Sequence, residues 1–138
     1  MIISEGATGR EQELVEVFRA SFTASEGKEA GDAVAGLAQE LLTSTPTDDM
    51  FVFSSWEDDI AIGCIIFTRL TFAGDDRTVF MLSPVAVGPD QQGQGVGQKL
   101  IGHGLDKLRR HGVDIAVTYG NPNYYAKVGF RPVAQDVV

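Results

Sequence analysis

Between Glu11 and Phe22, the apolar residues Leu14, Val15, Phe18 and Phe22 recur at helical spacing, and the polar residues between them predict a helix with one buried stripe. Gly9 stands just ahead of it as a start signal. A second helix is predicted over Ala30–Leu42, where Val34, Leu37, Ala38, Leu41 and Leu42 repeat the pattern. Thr43 to Asp49 is loop by composition. Met50–Ser54 and Ile60–Thr71 are rich in β-branched and aromatic residues and predict strands, with Ser55 to Asp59 as the turn of a hairpin. Gly74-Asp75-Asp76 turns the chain into a third strand, Thr78–Val87, and residues 88–94 form a polar loop. Gly95–His111 predicts a helix with Val96, Leu100, Ile101, Leu105 and Leu108 inward and Gly112 ending it. Ile115–Tyr119 follows as a strand, and Pro122 opens a short helical segment. Helices, then strands, then a strand–helix–strand unit define an α/β fold around a mixed sheet. No internal boundary interrupts it, so residues 1–138 are expected to form one domain.

Composition narrows the function classes. The chain has 11 Lys and Arg against 19 Asp and Glu, a net charge of −8, which argues against nucleic-acid and anionic-membrane partners. Residues 1–60 carry thirteen of the acids against three bases; the remainder carries six acids and eight bases. The acidic half would draw in a cation. Cys64 is the single cysteine, so neither an intrachain disulfide nor a cysteine-based zinc site can form, and no metal is expected. The beginning of the chain lacks a basic, then apolar, leader. The longest apolar run, Ile60–Phe67, falls well short of the roughly 18 residues of a membrane span. A cytoplasmic location is expected.

The chemistry is concentrated where the third strand enters its helix, in Pro84-Val85-Ala86-Val87-Gly88-Pro89-Asp90-Gln91-Gln92-Gly93-Gln94-Gly95-Val96-Gly97-Gln98-Lys99. The first N–H groups of a helix have no internal partners, and the helix dipole makes that end positive. Glycines at 93, 95 and 97 allow a diphosphate to approach the backbone, and Lys99, Lys107, Arg109 and Arg110 against Asp106 give the helix a local charge of +3. A P-loop would need Lys-Ser/Thr after its last glycine, and a dinucleotide fingerprint would need glycine at 98; neither is present. Pro84 has no N–H, so its strand is expected to bulge beside Val85, freeing a backbone donor and parting two strands.

Gln92, Gly95 and Gly97, with Val85-Ala86-Val87 and Pro89 upstream, resemble the acetyl-CoA signature of the GNAT superfamily of N-acetyltransferases. Downstream, Asn121-Pro122-Asn123-Tyr124-Tyr125-Ala126-Lys127-Val128-Gly129-Phe130 resembles the tyrosine-plus-Gly-Phe element of its YhbS-like branch. The resemblance implies a mostly antiparallel central sheet flanked by helices, with a splayed strand pair at the cofactor cleft. It implies that Val85, Ala86 and Val87 hydrogen-bond the pantetheine arm through their backbones. By the same resemblance Gln92, Gly93, Gln94, Gly95, Val96, Gly97 and Gln98 wrap the diphosphate, and Asn121 joins the cofactor-binding set. Tyr125 matches the tyrosine that protonates the CoA sulfur, with Tyr124 as the competing choice.

The implied function is acetyl transfer from acetyl-CoA, without a metal, directly to a primary amine of a small molecule or protein. The alternative is a non-catalytic acyl-CoA-binding module. Glu26, Glu57 and Asp58 are candidate bases, Trp56 and Phe72 candidate pocket walls, and Cys64 reads as packing. Members usually continue through another strand after the Gly-Phe element, whereas eight residues remain here after Phe130. A homodimer is one arrangement that would cover the resulting open sheet edge.

Overall fold

The computed structural model describes residues 1–120 and 122–131. Its elements are β1 (Ile2–Glu5), α1 (Glu11–Glu26), α2 (Lys28–Ser44), β2 (Met50–Glu57), β3 (Ile60–Leu70), β4 (Val79–Val87), α3 (Val96–Arg110), β5 (Ile115–Thr118) and α4 (Pro122–Ala126), with single 3-10 turns at Thr47–Asp49 and Pro89–Gln91. The five strands lie in the order β1-β2-β3-β4-β5. All neighbours are antiparallel except β4 and β5, which run parallel on either side of the α3 crossover. This is the mostly antiparallel sheet flanked by helices that the motifs implied.

Strand period sorts the core into two layers. Val52, Cys64, Ile66 and Ala86 face α1 and α2, meeting Leu14, Val15, Phe18, Ala35 and Ala38. Phe53, Ile65, Phe67, Phe80 and Leu82 face α3, meeting Leu100, Ile101 and Leu108. Fully burying each of these larger side chains is worth about 1.5–3 kcal/mol, so α1 and α3 are held chiefly by their apolar stripes. Leu37, placed inward by periodicity, is 46% exposed, and the smaller Ala35 and Ala38 make the α2 contact instead.

Two further expectations are corrected. β1 was not anticipated: four largely exposed residues carry little pattern of their own, and their structure comes from the pairing of Ile2–Glu5 with Trp56–Phe53. The hairpin turn is also shorter than Ser55–Asp59. Ser55, Trp56 and Glu57 stay in β2, and only Asp58 and Asp59 turn, at φ of 49° and 64°. A two-residue loop whose twist matches the strands needs positive φ at both positions, and aspartate tolerates it. The tail after Arg131, on which the expectation of an open edge rested, lies outside the described residues.

α3 approaches the sheet closely at Gly104, where an added Cβ would stand 2.7 Å from Phe67 Cε2 and 3.2 Å from Phe53 Cδ2. Both rings are fully buried and have nowhere to move. Gly104→Ala is expected to destabilise the fold by about 1–3 kcal/mol through overpacking, outweighing a helix-propensity gain of at most about 1 kcal/mol. Urea unfolding checks this; a raised midpoint would contradict the close packing. Among the described residues no helix is long and apolar enough to cross a membrane.

Candidate functional site

The site begins where β4 loses its neighbours. Pairing between β4 and β5 ends at Leu82 and Thr118. On the other side, Ile65 pairs with Val85 but Phe67 pairs with Leu82, so β4 spends three steps against two on β3. The extra residue lies in Ser83-Pro84, the bulge that Pro84 predicts. Beyond it β4 keeps β3 as a partner but has parted from β5.

The ladder then decides which backbone groups are free. Gly88 N–H donates to Ile62 O at 2.8 Å, and Ala86 is opposite Cys64. Antiparallel pairs alternate between bonded and non-bonded, so Ala86 spends its backbone groups on β3 while Val85 and Val87 turn theirs to the parted side. Of the three expected pantetheine partners, Val85 and Val87 are thus presented to the cleft. Ala86 is buried beneath α1.

A cleft of about 530 Å³ opens along this edge. It brings together Val85, Val87, Gln92, Gly93, Gly95, Val96, Gly97 and Gln98 from the motif. Ser21 of α1, Gln91, Tyr124 and Lys127 complete its wall. Gln94 is exposed and outside the lining, Tyr125 is also outside it while its neighbour Tyr124 is in it, and Asn121 lies outside the described residues.

The glycines serve two different ends. Gly93 and Gly95 sit at φ of 83° and 77° with no atom within 4 Å of a would-be Cβ, so backbone conformation demands them. Gly97 is a matter of room: a Cβ there would collide with the Tyr124 hydroxyl and stand 3.2 Å from Val87 Cγ2. The first intrahelical bond runs from Lys99 N–H to Gly95 O at 3.0 Å. The N–H groups of Val96, Gly97 and Gln98 precede it, at the positive end of the helix.

The expected cationic field is corrected. Lys107, Arg109 and Arg110 stand roughly 18–22 Å along the helix from Gly95, beyond a screening length of about 8–10 Å. Arg109 and Arg110 also reach Asp106, at 3.4 and 3.8 Å. The cation that lines the cleft is Lys127, delivered by the turn after α4. Its position four residues beyond Asn123, past a helix end, carried no sequence signal linking it to the loop.

The two tyrosines of α4 occupy different places. Tyr124 leans across Gly97 on the α3 wall. Tyr125 packs against Phe130, with ring centroids 5.8 Å apart, and over Gly120. Its hydroxyl interacts with Thr118, whose Oγ1 donates to Leu82 O at 2.9 Å, so it stands by the last rung before the strands part. Desolvation raises both phenols above the ordinary tyrosine value. In Tyr125 the hydrogen bond with Thr118 opposes the rise and nearby Tyr119 adds to it.

The remaining candidates fall elsewhere. Glu57 and Asp58 sit at the β2–β3 turn, by the Val87 end of β4 and two strands away from the parting. Glu26 is the exposed last residue of α1. Trp56 is core: Arg10 lies 4.3 Å over its ring, and its Nε1 donates to Ser54 Oγ at 2.8 Å. Phe72 is half-exposed beyond β3. Cys64 is fully buried, and burial pushes its thiol up, away from the reactive thiolate. Among the described residues no three His, Cys, Asp or Glu side chains gather as a metal site.

A strand parted at a bulge, feeding a glycine turn and a helix start, is the arrangement that the acetyl-CoA motif implied, and the match to a family model agrees. Residues 11–130 match the Acetyltransferase (GNAT) family, to which this chain belongs. Among curated proteins, YjhQ of Escherichia coli K12, described as an uncharacterised N-acetyltransferase, is 44% identical over 78 residues, covering 55% of this chain and 43% of YjhQ. The chain thus spans less than half the length of that relative. A GNAT family acetyltransferase from Brucella melitensis, solved in complex with acetyl-CoA, is 30% identical, with a TM-score of 0.77 over 95% of this chain and 82% of that one. Escherichia coli YhbS, solved with CoA, superposes with a TM-score of 0.80 at 26% identity over 94% of this chain and 68% of its own.

Proposed function

We propose that this chain binds acetyl-CoA in the cleft between β4 and α3 and transfers the acetyl group directly to a primary amine. The observation that carries the proposal is the convergence on one cleft of the outward backbone of Val85 and Val87 and the free N–H groups of Val96, Gly97 and Gln98. The first would pair with the amides of a pantetheine arm as an added strand does; the second, with Lys127, would hold the diphosphate. The Brucella relative was crystallised with acetyl-CoA, and the chain spans most of its length.

Attack of a neutral amine on the thioester carbonyl forms a C–N bond and a tetrahedral oxyanion, for which the outward N–H of Val85, beside the bulge, is the candidate donor. Collapse breaks the C–S bond, the departing sulfur takes the proton of the Tyr125 hydroxyl, and the proton lost from the nitrogen as the amide forms restores the phenol through water. A buried Cys64 supports direct transfer over an acetyl-cysteine intermediate. The second reading, a non-catalytic acyl-CoA-binding module, is favoured by one observation: Glu57 and Asp58 stand two strands away from the parting.

Calorimetry with acetyl-CoA, followed by a free-thiol assay against spermidine, kanamycin and a lysine-bearing peptide, separates the two. Acetyl-CoA is expected to bind with one-to-one stoichiometry, and CoA release is expected to depend on an amine. Binding without amine-dependent release would establish the module instead.

A further inference from the structure

Two hydroxyl groups outside the cofactor cleft stand where the sheet divides. Ser83 and Tyr119 are the residues immediately beyond Leu82 and Thr118, the last rung between β4 and β5. Ser83 Oγ and Tyr119 Oη are 3.0 Å apart, and Tyr119 is 70% exposed, a wet position for so large a ring. Alternation along each strand fixes the side on which they stand. Leu82 belongs to the core under α3, as does Ala116, and Thr118 shares the face of Ala116 two residues before it. Ser83 and Tyr119, one residue further along, face the opposite way, to the side where α1 lies across β3 and β4. The parting therefore has the Tyr125 phenol by Thr118 on one side and a hydroxyl pair on the other.

The second side is also the acidic one. From Glu11 to Ser44, α1 and α2 carry seven acids against two bases; Glu13 pairs with Arg10, Glu16 with Arg19, and Asp32 with Arg19 and Lys28, and the remaining net negative charge concentrates cations. A primary amine reaches such a surface as an ammonium ion and needs hydrogen-bond acceptors where it docks. Ser83 and Tyr119 hydroxyls bonded to each other use one hydrogen between them and keep lone pairs on both oxygens. A carboxylate there would hold the ammonium proton in place, whereas neutral hydroxyls orient the nitrogen and leave the proton free to depart to water.

We propose that the Ser83–Tyr119 pair is the docking point of the acceptor, a small polycationic primary amine, and that it aims the nitrogen through the gap at a thioester held on the α3 side. This rests on the acetyl-CoA site proposed above. One ammonium proton leaves to water, the nitrogen lone pair forms the C–N bond, and the C–S bond breaks as the sulfur takes the Tyr125 proton. The nitrogen gives up its second proton as the amide forms, and that proton returns Tyr125 to the phenol through water, leaving an amide and the free thiol of CoA.

Ser83→Ala, Tyr119→Phe and the double variant, each checked for native circular dichroism, test this with spermidine as the acceptor probe. The KM for spermidine is expected to rise about tenfold or more in the double variant. The kcat at saturation should stay within a few-fold, and the calorimetric Kd for acetyl-CoA should be unchanged. An unchanged spermidine KM overturns the proposal, as does a loss of acetyl-CoA affinity equal to the loss in KM, which would make the pair part of the donor site. If the wild-type protein binds acetyl-CoA yet releases no thiol with spermidine, the docking proposal fails while the donor site stands. If wild type fails to bind acetyl-CoA, the donor site itself is wrong.

Discussion

Tyr125→Phe is expected to lower kcat by about a hundredfold or more while leaving the Kd for acetyl-CoA within a factor of two. The substitution deletes one oxygen and keeps the ring that packs on Phe130 and Gly120, so the fold around α4 survives. On the proposed mechanism the substitution removes the proton delivered to the departing sulfur, and general acid catalysis of this kind contributes on the order of 10²–10⁴-fold. The pH profile gives a second readout. Half-burial raises the Tyr125 phenol above its usual value near 10, so it keeps its proton as pH rises through that value. The wild-type kcat should therefore lose activity only above the ordinary tyrosine range, and that limb should be missing from the variant's residual activity. Stopped-flow or steady-state thiol release across pH measures both. A variant with wild-type kcat removes Tyr125 from the chemistry and makes Tyr124, on the α3 wall, the tyrosine to test next.

Gly95→Val should cost at least tenfold in acetyl-CoA affinity, for a reason that is conformational. Nothing lies within 4 Å of a Cβ at this position, so the new side chain meets no neighbour. The backbone is the obstacle. At φ of 77° an L-residue pays about 1–2 kcal/mol, more when β-branched, and a tenfold change in Kd is 1.4 kcal/mol. The loop would relax away from this geometry and carry the N–H groups of Val96 and Gly97 off their aim. Gly102→Ala is the matched control, since Gly102 lies in α3 at ordinary helical φ with open space around it. It should leave affinity unchanged. Equal calorimetric Kd values for Gly95→Val and wild type would mean that the diphosphate lies elsewhere.

The parts of the molecule legible in its sequence are those whose cause is local. Apolar spacing placed α1, α2 and α3 to within a few residues, because a helix writes its buried stripe directly into the order of side chains. Pro84 marked the bulge, since a missing N–H breaks a ladder wherever the partner strand lies. Gly93 and Gly95 marked the turn through their backbone freedom. What stayed hidden depends on distant partners. β1 exists because β2 offers it an edge, and Lys127 meets the cleft of the glycine loop only because β5 and α4 return the chain to it. The adjacent Tyr124 and Tyr125 are chemically identical in the sequence. Their different placements follow from Gly97 making room for one and Thr118 meeting the other.

The parting of β4 from β5 runs through the full thickness of the sheet, which has a consequence for traffic. A donor seated along the α3 side and an acceptor arriving over α1 would have separate doorways and would touch only at the gap. Neither would have to vacate for the other to enter. With the reactants so placed, catalysis through such a window would favour a complex holding both at once, over a cycle in which the protein itself carries the acetyl group between visits.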